Sequence, residues 1–195
     1  LINFERADTY SGSLYVSEYE LSTYMEETID AFRSYANIKH INLTYESSFR
    51  YLNVWLDKDK MDSILKNIIS NALKYTPDGG NVHVFTSETE DTWSIEVKDT
   101  GIGIPASEQK KLFKMHFRGS NAINSKVTGS GIGLLLVGKL VHLHKGKLNF
   151  SSMEGKGSCI KITFPKGNKH FRKAIQRPQP QNERIVYSAS RVPIN

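Results

Sequence analysis

The chain has 195 residues, 38% of them apolar, a mean hydropathy of −0.42 and a net charge of +6, enough for one sizeable core with appendages. No run approaches the roughly 20 apolar residues of a membrane span, the N-terminal LINFER is no signal peptide, and a single cysteine, Cys159, excludes an internal disulfide or a cysteine-rich metal site. The charge sits at one end: Lys166 to Asn195 carries seven Lys or Arg against one Glu while residues 1–165 balance, so that end reads as a solvated tail and no nucleic-acid partner is expected.

Leu1 to Tyr10 has helix-compatible spacing and stops at Ser11-Gly12-Ser13, so residues 1–12 read as the end of a helix followed by a hinge. Ser17 to Ile38 places Leu21, Tyr24, Met25, Thr28, Ile29, Phe32 and Tyr35 near helical spacing, with Ser17 as N-cap and Glu20 three residues on, a capping box. Ile41 to Glu46 and Leu52 to Leu56 alternate and contain β-branched and aromatic residues, the pattern of short strands. Asp59 to Pro77 puts Met61, Ile64, Leu65, Ile68, Ile69 and Ala72 on one arc, the face of a helix laid on a core. After a turn at Pro77 to Gly80, Val82 to Thr86 and Trp93 to Lys98 predict a hairpin around Glu88 to Asp91. DTGIGIP, Asp99 to Pro105, leads to a short helix ending near KLFKMHFRG, and Ser120 to Ser130 reads as a mobile loop. An apolar helix is predicted over Gly131 to His144, then strands over Lys147 to Ser152 and Ser158 to Phe164, the last with Cys159 as a packing residue. The expected fold is α+β, a two-layer sandwich with helices on one face of a mixed, largely antiparallel sheet, built from residues 13–166 and followed by a tail over 167–195.

Three stretches carry chemistry. Asn67, Asn71 and Lys74 recur at i, i+4 and i+7 along the edge of the apolar arc. Amide oxygens are neutral ligands for a hard cation and lysine is a compact positive charge, so the row suits a metal-bound polyphosphate, although an ordinary amphipathic helix can also carry Asn at its boundary. Asp99 ends an alternating strand beside Gly101 and Gly103, where a carboxylate accepts from an exocyclic amine such as that of adenine or makes an Asx-turn to its own backbone. Gly129, Gly131 and Gly133 in GSGIGLLLV open a helix whose N-terminal amides can cradle a phosphate; the spacing is neither a P-loop nor a complete dinucleotide fingerprint.

Taken in order, Asn67-xxx-Asn71-Ala-x-Lys74-Tyr75, DTGIGIP, LFxxHFRG and GSGIGL resemble the N, G1, F and G2 boxes of the ATP-binding domain of sensor histidine kinases. That family belongs to the superfamily (GHKL, or Bergerat fold) shared by gyrase-type ATPases and heat-shock chaperones. The likeness covers about Ser13 to Lys166. It implies ATP and Mg²⁺ as cofactors, with Asn67 on Mg²⁺, Asn71 and Lys74 on phosphate, Tyr75 stacked on adenine and Asp99 on its amino group. Gly101, Ile102, Gly103, Gly129, Ser130, Gly131, Ile132, Gly133 and Leu134 would line the nucleotide and hinge a lid over Phe113 to Thr128. Arg118 would reach the γ-phosphate, Phe113 and Phe117 would pin the lid, and Lys126 is a further phosphate candidate.

The resemblance also implies a reaction. Hydrolases of the superfamily carry a water-activating carboxylate one turn before the first asparagine; here that position is Ser63. None of the six histidines is followed by a carboxylate, so the phosphoacceptor is expected on a separate histidine-bearing dimerisation domain, a homodimer in the full-length protein, with a response-regulator receiver domain as the next acceptor. The implied function is γ-phosphoryl donation in the cytoplasm by part of a membrane-anchored sensor, with a fragment alone unable to autophosphorylate. A nucleotide-gated binding module and a gyrase- or chaperone-type ATPase are the rivals.

Overall fold

The computed structural model describes residues 13–109, 112, 133–171 and 175–176. Strand β1 (Tyr15–Glu20) leads into helix α1 (Leu21–Ile38), followed by β2 (Asn42–Ser47), β3 (Asn53–Leu56) and helix α2 (Lys58–Tyr75). The hairpin β4 (Asn81–Glu88) and β5 (Thr92–Asp99), the short α3 (Ala106–Gln109), α4 (Gly133–Leu143), β6 (Lys147–Met153) and β7 (Gly157–Pro165) come next. A 3₁₀ turn at Lys169–Phe171 and a two-residue strand β8 (Ile175–Gln176) complete the described elements.

The main sheet has the order β2-β4-β5-β7-β6, parallel between β2 and β4 and antiparallel elsewhere. Alternation along its strands points Leu43, Val82, Val84, Ile95, Val97, Leu148, Ile160 and Ile162 to one side, where they share a single core with Met25 and Ile29 of α1, Ile64, Leu65, Ile68 and Ile69 of α2, and Val137 and Val141 of α4. This is the expected two-layer arrangement. Asp57 caps α2, its side chain accepting from the Lys60 amide, so the helix begins one residue before the predicted start.

The first strand departs from the sequence reading. Tyr15–Glu20 is extended, pairs antiparallel with β3 and parallel with β8, and forms a second, three-stranded sheet. Ser17 is therefore a buried strand residue and no N-cap. Glu20 takes that role, its carboxylate accepting from the amides of Ser22 and Thr23 at 3.1 and 2.7 Å. A residue with a capping side chain, not a capping box, starts α1. Phe171, Leu14 and Val16 make a small satellite core with Trp55 and Leu143 alongside, so folded structure continues past Lys166. Cys159 lies between buried Gly157 and Ile160 in β7 but is itself only half-buried. Packing is not its main setting, and burial together with the nearby Glu96 pushes its thiol up to about 11. Among the described residues no helix is long and apolar enough to cross a membrane.

Candidate nucleotide site

Helix α2 lies on the core by its apolar arc, and this alone brings Asn67, Asn71, Lys74 and Tyr75 to one half-buried edge. The Asn67 Nδ2 donates to the Ser63 carbonyl at 2.7 Å, which fixes the amide orientation and leaves Oδ1 as its outward atom. That oxygen faces the first residue of α4: a methyl group placed on Gly133 would collide with Asn67 Oδ1. With glycine here the Asn67 amide keeps its place between the two helices, and the oxygen it offers is of the type a hard cation takes. The Lys74 ammonium stands 5.2 Å from the centre of the Tyr75 ring. Ser63 is turned back on its own helix, its Oγ donating to Asp59 O at 3.0 Å.

Asp99 closes β5 beside the C-terminal end of α2. Its Oδ1 accepts from the Gly101 amide at 2.8 Å, the Asx-turn considered above, and from the Ser158 amide at 3.1 Å. Oδ2 accepts no hydrogen bond among the described residues. Two backbone amides thus anchor one carboxylate oxygen, which fixes the orientation of the other. Burial pushes the carboxyl above the ordinary aspartate range, against the pull of the Gly101 and Ser158 amides.

The DTGIGIP loop is suspended between α2 and the β6–β7 turn. The Ile102 amide donates to Tyr75 O at 3.1 Å, Gly155 N donates to Ile102 O at 2.8 Å, and the Ile104 amide donates to Ser152 Oγ at 2.8 Å. Gly103 adopts a φ of 60° and Gly157 a φ of 98°, both in the left-handed region, and a side chain on either would strike the main chain, of Met153 and of Asp99 respectively. The Gln109 amide donates to Ile104 O at 3.0 Å and to Ser152 O at 2.8 Å, fastening α3 to the same turn.

Of the candidate residues, Asn67, Asn71, Lys74 and Tyr75 share α2, Gly133 meets Asn67, and Asp99, Gly101, Ile102 and Gly103 gather where Tyr75 ends the helix. Leu134 packs against the core. Phe113, Phe117, Arg118, Lys126, Gly129, Ser130, Gly131 and Ile132 lie outside the described residues. The sequence reading missed Ser152, Gly157, Ser158 and Gln109. The glycine spacing of EGKGS marks a tight turn but gives no hint that the turn holds Asp99 from behind.

Residues 56–168 match the family described as histidine kinase-, DNA gyrase B-, and HSP90-like ATPase. The sensor histidine kinase WalK of Bacillus subtilis (strain 168) is 38% identical over 148 residues, which is 75% of this chain and 24% of WalK. The chain thus spans about a quarter of the length of that relative. In fold, it is similar to full-length ShkA in complex with AMPPNP, with a TM-score of 0.71 at 20% identity over 80% of this chain and 32% of that one. The histidine kinase ThkA in complex with the response regulator protein TrrA gives a TM-score of 0.65 at 20% identity, covering 78% of this chain and 42% of that one.

Proposed function

Because the chain belongs to the histidine kinase-, DNA gyrase B- and HSP90-like ATPase family, we propose that it is the catalytic ATP-binding domain of a sensor histidine kinase. It holds Mg-ATP and donates the γ-phosphoryl to a histidine on a dimerisation domain outside this chain, for onward transfer to a response-regulator aspartate. The observation that carries the nucleotide assignment is the Asp99 carboxylate, pinned through Oδ1 by the Gly101 and Ser158 amides so that Oδ2 accepts from the adenine amino group. Tyr75, next to the loop that Asp99 begins, would cover the ring.

The residues present fit a magnesium ion: Asn67 Oδ1 would hold it, and Asn71 and Lys74, one and two turns further along the same edge, would meet the phosphates. When bound, the ion supplies charge neutralisation at the β- and γ-phosphates. The chain contributes position. Asp99 and Tyr75 fix the base, Lys74 offsets charge, and the amides opening α4 complete the cradle. In the transfer, the bond between the γ-phosphorus and the oxygen bridging to ADP breaks as the acceptor imidazole nitrogen bonds to phosphorus. Ser63, hydrogen-bonded to its own helix, offers no general base for water, which favours transfer over hydrolysis. Arg118 and Lys126 remain candidates for the γ-phosphate.

The test is phosphorylation in trans, with γ-labelled ATP, this chain and a separately made histidine-bearing dimerisation fragment. Label on the fragment that is labile in acid is the expected result. Steady release of inorganic phosphate independent of the fragment would replace the kinase reading with hydrolysis, and nucleotide binding without either would leave a binding module.

A further inference from the structure

An α-helix ends with four carbonyls that have no partner within the helix. At the end of α2 these are satisfied in an unusual way. Ala72 O keeps an ordinary i+4 partner in the Thr76 amide at 3.1 Å and also accepts the Thr76 hydroxyl at 2.7 Å, so the carbonyls left over are those of Leu73, Lys74, Tyr75 and Thr76. Leu73 O, Lys74 O and Thr76 O all accept from one ammonium, that of Lys39, at 2.9, 3.3 and 2.6 Å. The remaining carbonyl, Tyr75 O, accepts the Ile102 amide. An ammonium has three hydrogens, and Lys39 commits all of them here. Its backbone is held too: Lys39 caps α1, precedes His40 at a φ of 52°, and accepts the Gly79 amide at 3.3 Å.

We propose that Lys39 is a positioning residue for the adenine end of the nucleotide site. A positive charge at a helix C-terminus opposes the partial negative charge of its carbonyls. By drawing in the carbonyls on either side of Tyr75, Lys39 fixes the direction of Tyr75 O, and from that oxygen hangs Ile102 in the loop between Asp99 and Gly103. Asn67 lies two turns upstream, beyond the carbonyls that Lys39 reaches, so the phosphate end keeps its geometry without it. Lys39 touches no ligand and contributes only by holding this corner. The inference rests on the nucleotide reading of the site, but its structural half is measurable in the free protein.

Two variants test it. Lys39→Met keeps the aliphatic stem and removes the charge, and Lys39→Arg keeps the charge on a planar fork that does not converge on three carbonyls. Amide exchange is followed by NMR in the free chain, and Mg-ATP and Mg-ADP affinities by calorimetry. In Lys39→Met the Ile102 amide is expected to exchange about tenfold faster while amides in the middle of α2, such as Leu65, keep their rates. ATP and ADP both bind about tenfold more weakly, so their ratio is unchanged, and Lys39→Arg falls between wild type and Lys39→Met.

An Ile102 rate equal to wild type overturns the proposal, as does a change in the ATP-to-ADP ratio, which would put the effect at the phosphates. A uniform rise in exchange along α2 overturns it as well, reducing Lys39 to general stability. Should Lys39→Met not fold, the same measurements on Lys39→Arg decide, with wild-type exchange and affinity counting against. If the wild-type chain itself binds no nucleotide, the function proposed above fails, and the Ile102 rates still settle whether Lys39 sets the loop.

Discussion

Asp99 is costly to the folded protein when it is ionised. Its carboxyl is raised by burial, so the folded state holds the proton more tightly than the unfolded state does, and the ionised form subtracts from stability above the ordinary aspartate range. Asp99→Asn keeps an oxygen for the Gly101 and Ser158 amides but turns Oδ2 into a donor. The free variant should melt at or above the wild-type temperature while nucleotide binding weakens by about 1–3 kcal/mol, read by calorimetry. A binding constant equal to wild type would remove Asp99 from the base. Asn67→Ala should behave differently: affinity falls when Mg²⁺ is present and little when EDTA removes it, because the lost atom serves the metal. Equal losses in both titrations would contradict that role. The positions of both residues were legible in the sequence because their spacing follows from a helix and a strand end. Lys39, Gly157 and Ser158 were not, since they act through main-chain carbonyls, a collision and an amide, none of which residue type reveals.

Helix α2 is 18 residues long, about 27 Å, and its two ends do different work. Tyr75 holds the DTGIGIP loop through its carbonyl; Asp57, at the other end, is a junction. Asp57 Oδ2 accepts from Tyr15 N of β1 at 2.8 Å and from the Lys60 ammonium at 2.7 Å, and its own amide donates to His144 Nε2 at 3.2 Å. His144 follows α4 and bonds through Nδ1 to Leu140 O at 2.8 Å, so the ring is neutral with its proton on Nδ1. It is 1% exposed, and burial, more than the opposing Leu140 bond and Asp57 charge, holds its pKa below the ordinary value. The unfolded chain takes up this proton first as pH falls, so the junction's full stability is present above about pH 6.5 and is lost below it. His170, also lowered and beside Lys145, adds in the same direction. Urea midpoints should therefore drop between about pH 7.5 and pH 5.5, and His144→Gln should flatten that drop; an unchanged slope would exclude His144 as its source. Most elements here were readable from periodicity. Strand β1 was not, because Ser17 and Glu20 carry capping-box spacing while the partners that make the segment a strand, β3 and β8, come much later in the chain.

At the scale of the molecule, the described fold closes by returning its C-terminal segment to its N-terminal strand. Phe171 is 7% exposed, packs with Leu14 and Val16, and sets its ring edge-on to His144 at 6.2 Å. Phe171→Ala should cost about 3 kcal/mol of unfolding free energy. Its effect on Mg-ATP affinity should be negligible, since the satellite core sits by the Asp57 end of α2; a parallel loss of affinity would show that the two ends are coupled. The sequence reading treated the segment after Lys166 as solvated because its charge is visible and the burial of Phe171 among so many basic residues is not. The support of Asp99 from behind has a different kind of consequence, for the order of events during synthesis. A ribosome that has released the chain as far as Leu143 has already delivered Asn67, Asp99 and both glycines of DTGIGIP, yet the aspartate then has the Gly101 amide alone. Translation must run on through β6 to Ser158, and β7 must pair with β5, before the carboxylate is aimed. A nascent chain stalled short of that turn carries the whole DTGIGIP motif with its carboxylate held by a single amide, so the geometry of this corner is set only when the sheet is nearly complete.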